Sequence, residues 1–187
     1  MGYKTAEMKI EVGEGPGPTK VLVPLFPRIP STSTPDTAAL NPEDLVRYPR
    51  ASFGFRLSAD RGSVVDTFKG IATKDLVVGP DTTISLAFSQ EELDRVYHKA
   101  LQIRLFEWPG SSPRIVSSMS IEPNFRTYLT VRAGNVEKNF DWMSDGVPAS
   151  TDVIRWNDLR ALGTLINSIV KNRAEYQALP KARGVYL

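Results

Sequence analysis

The stretch Thr127–Trp142, TYLTVRAGNVEKNFDW, constrains the fold more than any other part of the chain. Two runs of alternating apolar and polar residues flank Gly134–Asn135. A Gly/Asn pair inside such a pattern marks a tight antiparallel hairpin. Leu129 and Val131 point one way, Val136 and Phe140 supply apolar groups on the return strand, and Tyr128 and Phe140 are expected near each other across the ladder. A lone hairpin is marginal in water, so the rest of the chain must add strands or helices to its apolar face.

The preceding sequence supplies both. From Ala51, Phe53, Phe55 and Leu57 alternate with Gly54, Arg56 and Ser58, the period of a half-buried strand. Turn signals at ADRG and GPD separate this run from SVVDTFKGIA, TKDLVV and TTISLAF, which predicts an antiparallel meander of three or four strands. SQEE at Ser89–Glu92 is a capping box. It opens a helix with Leu93, Val96, Tyr97, Ala100 and Leu101 on one face, expected to stop near Phe106 before WPG. The segment SSPRIVSSMSIEPNF reads as a loop with room for a short strand near Ile115. A second helix is capped near Ser150–Asp152, runs to about Asn172 and carries Leu159, Leu162, Leu165, Ile166, Ile169 and Val170 as its apolar stripe. Gly163 within it costs up to about 1 kcal/mol relative to Ala, so it is read as a point of close packing on the sheet. The apolar end Val185–Leu187 is expected to dock on the domain. The fold class that follows is α+β: an antiparallel sheet with two helices packed on one face, preceded by an extended Pro-rich arm. That arrangement leaves the other face of the sheet available.

The arm is set apart by composition. Eight of the 14 prolines precede residue 50, and Pro24, Pro27, Pro30, Pro35 and Pro42 punctuate PLFPRIPSTSTPDTAALNPED. Each removes a backbone donor and biases its predecessor towards extended conformations. Residues 1–46 therefore read as an arm or linker, and residues 47–187 as a single α+β domain. Removing residues 1–44 is expected to leave the domain folded.

Residue types exclude much chemistry. The chain has no cysteine, which removes disulfides, thiol catalysis and thiolate metal sites. His98 is the single histidine, lies off the apolar stripe of its helix and has no G-x-S-x-G serine to serve. No phosphate loop stands between a strand and a helix, and in GEGPGP the prolines interrupt the run of amides that a phosphate cradle needs. Glu91, Glu92 and Asp94 occupy a helix first turn, where the dipole favours negative charge. Asp141, Asp145 and Asp152 read as turn and cap residues, without the order of a calcium loop. No metal and no cofactor are expected. A net charge of +2 gives no strong nucleic-acid signal.

The aromatic residues around the hairpin are the remaining signal. Phe125, Tyr128, Phe140, Trp142 and Trp156 crowd together, with Arg126, Arg132, Lys138 and Arg155 between them and Glu137, Asp141 and Asp145 diluting the positive field. Cross-strand ring pairs stabilise a sheet by about 0.2–1 kcal/mol, which is reason enough for the rings as core and rim. The same residues also suit a binding surface, with Arg126, Tyr128, Trp142, Arg155 and Trp156 as candidate ligand contacts.

The order of elements has a likeness. A strand meander, SLAFSQEELDRVYHKALQIRLFEWP, the hairpin YLTVRAGNVEKNFDW and a helix closed by LPKARGVYL together resemble small bacterial envelope and lipoprotein-type domains. The likeness is one of pattern over residues 47–187. It implies an extracytoplasmic or envelope location, with the cytoplasm as the alternative, and makes the arm a tether. The lipid-bearing cysteine of a lipoprotein is absent, so membrane attachment is expected only through a removed anchor. The leading expectation is a non-enzymatic binding or interaction module whose partner is a protein or a small anionic or carbohydrate ligand. The alternatives are a metal-independent hydrolase using Asp and Glu carboxylates, and a nucleic-acid-binding adaptor.

Overall fold

The computed structural model describes residues 41–60, 62–118, 125–143 and 146–183. The arm up to residue 40, Asp145 and the docking expected of Val185–Leu187 lie outside them. The fold is α+β, as the sequence predicts. Strands β1 (Gly54–Ala59), β2 (Val64–Asp66), β3 (Ile71–Lys74) and β4 (Thr82–Ser85) form the meander. The hairpin strands β6 (Arg126–Ala133) and β7 (Val136–Met143) join it through β1, giving the antiparallel order β4-β3-β2-β1-β6-β7. Pairing of β1 with β6 sets Gly54 opposite Arg132, Arg56 opposite Thr130 and Ser58 opposite Tyr128.

Alternation divides the sheet into two faces. Phe55, Leu57, Val65, Ala72, Leu129, Val131, Phe140 and Trp142 are buried on one of them. Helices α2 (Gln90–Gln102) and α3 (Val153–Lys171) pack there, burying Val96, Tyr97, Ala100 and Leu101 from the first and Leu159, Leu162, Ile166, Ile169 and Val170 from the second. Gly163 serves the close approach expected of it: a Cβ at that position would stand 3.0 Å from Cζ2 of Trp142. At the hairpin turn Gly134 has φ +59°, a conformation that glycine takes without a side-chain clash.

Helix α2 opens with the capping box. Ser89 Oγ accepts from the Glu92 amide at 3.2 Å and Glu92 Oε2 from the Ser89 amide at 2.8 Å. The helix ends earlier than the sequence predicts, at Gln102, because Arg104 adopts φ +55° and starts a 3₁₀ turn over Leu105–Glu107. That turn buries the adjacent Leu105 and Phe106 together and stacks Phe106 on Tyr48, with ring centroids 4.8 Å apart.

One element departs from the sequence reading and another extends it, the short strand expected near Ile115 finding a partner that the sequence did not name. Helix α1 (Pro42–Arg47) forms at the end of the stretch read as extended, because Asn41 caps it and Pro42 suits a first helical position. A second, two-stranded sheet pairs β5 (Ile115–Ser118) with β8 (Gly146–Pro148). Gly146 permits it, since a Cβ there would stand 2.8 Å from Cγ2 of Ile115. A short helix α4 (Ala174–Gln177) follows α3. No helix among the described residues is long and apolar enough to cross a membrane.

Candidate functional site

The five residues singled out in the sequence do not form one site, because the sheet separates them. Arg126 and Tyr128 stand on the face away from the helices. Trp142 lies on the helix side, 3% exposed, against Gly163. Trp156, at the start of α3, donates its indole N–H to the Met143 carbonyl at 3.0 Å and carries the Arg160 guanidinium 4.4 Å from its ring centroid. Arg155 is engaged structurally. It pairs with Asp152 at 3.1 Å, donates to the Ser111 carbonyl and lies 5.2 Å from the Trp108 ring centroid. The expected proximity of Tyr128 to Phe140 is corrected as well. Tyr128 pairs with Asp141 and Phe140 with Leu129, so the phenol and the phenyl ring project to opposite faces.

What the fold assembles instead is a depression of about 430 Å³ on the helix-free face. Arg56, Ser58, Tyr128, Thr130, Asn139 and Asp141 contribute side chains to it. Its floor is the backbone at Leu129 and Phe140, whose side chains turn into the core. Such a volume lies within the range of ligand clefts, about 300–1,000 Å³.

These walls are held in place by their neighbours. The Thr130 hydroxyl donates to Asn139 Oδ1 across the ladder at 2.7 Å. Asp141 pairs with Arg126, accepts from the Ser112 hydroxyl at 2.5 Å and donates its amide to the same oxygen at 2.7 Å. Asp60 accepts the Arg126 amide at 2.9 Å. A hydrogen bond to Asp60 also raises the Tyr128 phenol above its ordinary pKa, since ionisation would set two negative charges together. The phenol lies beside Asp60 while 42% of the residue stays exposed. Arg56 reaches Asp66 at 3.6 Å; that carboxylate, 3% exposed, accepts the amides of Phe68 and Lys69.

Phe68 lies on the same face. A Cβ at Gly54 would stand 2.5 Å from its Cε1, so the ring occupies the space above that glycine. The Arg132 guanidinium stacks on it, 4.5 Å from the centroid. The polar alternation Gly54-Arg56-Ser58 is visible in the sequence. That Arg56, Ser58 and Phe68 share a surface with the hairpin is not, because only the pairing of β1 with β6 brings them together.

The other acidic candidates have structural partners. Glu92 completes the capping box and pairs with Arg173 at 3.1 Å, while Asp94 pairs with Arg50. Among the described residues, no group of three or more His, Asp or Glu side chains is placed to hold a metal ion. His98 is exposed on α2. Replacing it with Ala is expected to change unfolding free energy by no more than about 0.5 kcal/mol, measured by urea denaturation. A larger loss would show that the imidazole makes a contact its exposure does not suggest.

No protein-family model matches this chain, and a search of curated proteins finds no match to it.

Proposed function

We propose that this chain is a non-enzymatic binding module of a bacterial envelope protein, and that its helix-free sheet face takes a small hydroxyl-bearing or anionic ligand of carbohydrate type. The observation that carries this reading is the depression bounded by Arg56, Tyr128 and Asp141 and lined by Ser58, Thr130 and Asn139. Guanidinium, carboxylate, amide and hydroxyl groups there offer donors and acceptors in a small area, beside one exposed ring. The site stands on strands, which hold such groups more firmly than loops do. Envelope placement is supported by the pattern resemblance of residues 47–187.

Hydrolysis of a glycosidic bond would ask for two carboxyl groups about 5–9 Å apart. Asp141 is the one carboxylate among the described residues that line the depression, and Arg126 and Ser112 already occupy it. Binding without turnover suits this set better.

The test is calorimetry with a panel of neutral sugars, acidic sugars and small carboxylate and phosphate anions. Arg56→Ala should weaken the ligand found by about tenfold or more, since hydrogen bonds to charged groups contribute about 1.5–3 kcal/mol. Asn139→Ala should weaken it several-fold. If both variants bind as the parent does, the depression is not the site. Release of a cleaved sugar would point to the hydrolase instead.

A further inference from the structure

The charges on the open face are compensated locally. Arg126 is paired with Asp141, Arg56 stands 3.6 Å from Asp66, and Arg132 lies directly opposite Glu137 in the hairpin ladder. Of the three guanidiniums on β1 and β6, two therefore stand beside a carboxylate, and that of Arg132, across the ladder from Glu137, lies over the Phe68 ring. An anion arriving here would have to compete with groups already in place. A neutral ligand with many hydroxyls can share donors and acceptors without separating these pairs. The complement of a compensated polar surface is a polar, uncharged one.

The exposed rings add a length. Phe68 sits over Gly54 at one end of β1, and Tyr128 stands opposite Ser58 near the other end. Four residues of strand, at about 3.4 Å each, separate the two positions by roughly 14 Å. That span exceeds one sugar ring and suits a short chain of them. Between the rings lies the Arg56–Thr130 row, flanked by Asn139 on β7. Tyr128 follows Thr127 in the β1–β6 ladder opposite Ser58, and Phe68 is set by the turn in which Asp66 accepts the Phe68 and Lys69 amides at 3.0 and 3.1 Å, with the Arg132 guanidinium 4.5 Å from its centroid on one side. Each remains exposed, at 40% for Phe68 and 42% for Tyr128. Exposed rings at the two ends of a hydrogen-bonding strip offer flat apolar surfaces to the C–H faces of sugars, Phe68 with the part of its ring that the Arg132 guanidinium leaves open.

We propose that this face binds a neutral, linear oligosaccharide laid along β1 and β6, with sugar rings stacked on Phe68 and Tyr128 and hydroxyls bonded to Arg56, Ser58, Thr130 and Asn139. The inference rests on the reading of the sheet face as a binding surface and narrows it in two respects, ligand charge and ligand length.

The experiment is calorimetry on the full chain at low and high salt. The probes are monomers, trimers and hexamers of β-1,4-linked glucose, β-1,4-linked N-acetylglucosamine and α-1,4-linked glucose, with oligogalacturonate as the acidic counterpart. A neutral trimer should bind at least about tenfold more tightly than its monomer, and the hexamer little more tightly than the trimer. Salt should change the affinity by less than about twofold, since no net charge is neutralised on binding. Phe68→Ala should weaken the trimer roughly three- to tenfold while hardly affecting the monomer, in keeping with the loss of one stacking contact. Thermal melts of the variants confirm that the sheet is intact. Preference for oligogalacturonate, weakening with salt and sensitive to Arg56→Ala, would overturn the inference but leave the binding-module reading standing. Neutral oligomers that bind no better than monomers, or that ignore Phe68→Ala, would also overturn it. If no oligosaccharide binds, or if none responds to Asn139→Ala and Arg56→Ala, the inference fails and the carbohydrate part of the broader reading fails with it.

Discussion

Replacing Trp142 with alanine should lower the stability of the folded chain by about 3–5 kcal/mol, the range for truncating a large aromatic in a core. The indole is 3% exposed and on the helix side of the sheet. Its Cζ2 lies where it would come within 3.0 Å of a Cβ on residue 163, so α3 approaches the sheet at a distance set by the fit of indole to glycine. Removing the ring leaves a void that the helix can close only partly. Urea unfolding followed by circular dichroism measures the cost, and a loss under about 1 kcal/mol would show that the ring is not a core element. Gly163 gives an independent check. Gly163→Ala in the parent crowds the indole, whereas in the Trp142→Ala background it gains helix propensity of up to about 1 kcal/mol and fills part of the void. The two substitutions should therefore be strongly non-additive, as expected of side chains in direct contact. Any ligand binding at the depression on the opposite face should be unchanged while the protein stays folded.

The second large effect is expected at Tyr48. Its ring is 2% exposed and stacks on Phe106 at an interplanar angle of 22°. Its carbonyl accepts the buried Tyr97 hydroxyl at 2.6 Å. Two residues on, Arg50 pairs with Asp94 and donates to the Gln90 carbonyl at 3.2 Å, fastening the segment to the first turn of α2. Tyr48→Ala should cost about 3–4 kcal/mol, within the aromatic-to-alanine range. Removing residues 1–44 should instead leave a single cooperative thermal transition, whereas removing residues 1–53 should abolish or greatly lower it. A melt that is unchanged by Tyr48→Ala would mean that the segment is only loosely attached. Loss of cooperativity on removing residues 1–44 would mean that the arm contributes to the fold.

Much of this architecture was legible locally. The capping box at Ser89–Glu92, the Gly134–Asn135 turn, the 3.6-residue stripes of α2 and α3 and the alternation of β1 involve residues close in the chain. The backbone preferences of those residues act before any tertiary contact forms. Gly163 was legible too, since a glycine within an apolar stripe implies a close neighbour. The pairing of β5 with β8 was not: a short strand near Ile115 is within reach of the sequence, but Gly146–Pro148 is too short to announce itself, and the two stabilise one another only when the hairpin between them has folded. The end of α2 was misplaced for a similar reason. Arg104 takes a left-handed conformation that lets Leu105 and Phe106 turn inward together, and no local rule requires it.

The candidate site shows the division most clearly. Alternation in β1, β6 and β7 makes the type of surface legible, one apolar face and one polar, whereas Arg126 and Tyr128 stand out in the sequence only as members of the rings and cations crowded around the hairpin. Which residues share that surface depends on how the strands pair. A strand reverses every side chain when its register moves by one residue, so periodicity can say which residues share a strand face but not which strand lies alongside. The register that sets Arg56 opposite Thr130 and Phe140 opposite Leu129 puts Tyr128 in the open with Arg56, Ser58 and Asn139, and Trp142 under α3. It separates rings that sit close together in the sequence, because burying Phe140 and Trp142 on the helix side necessarily turns their neighbours Asn139 and Asp141 to the other face.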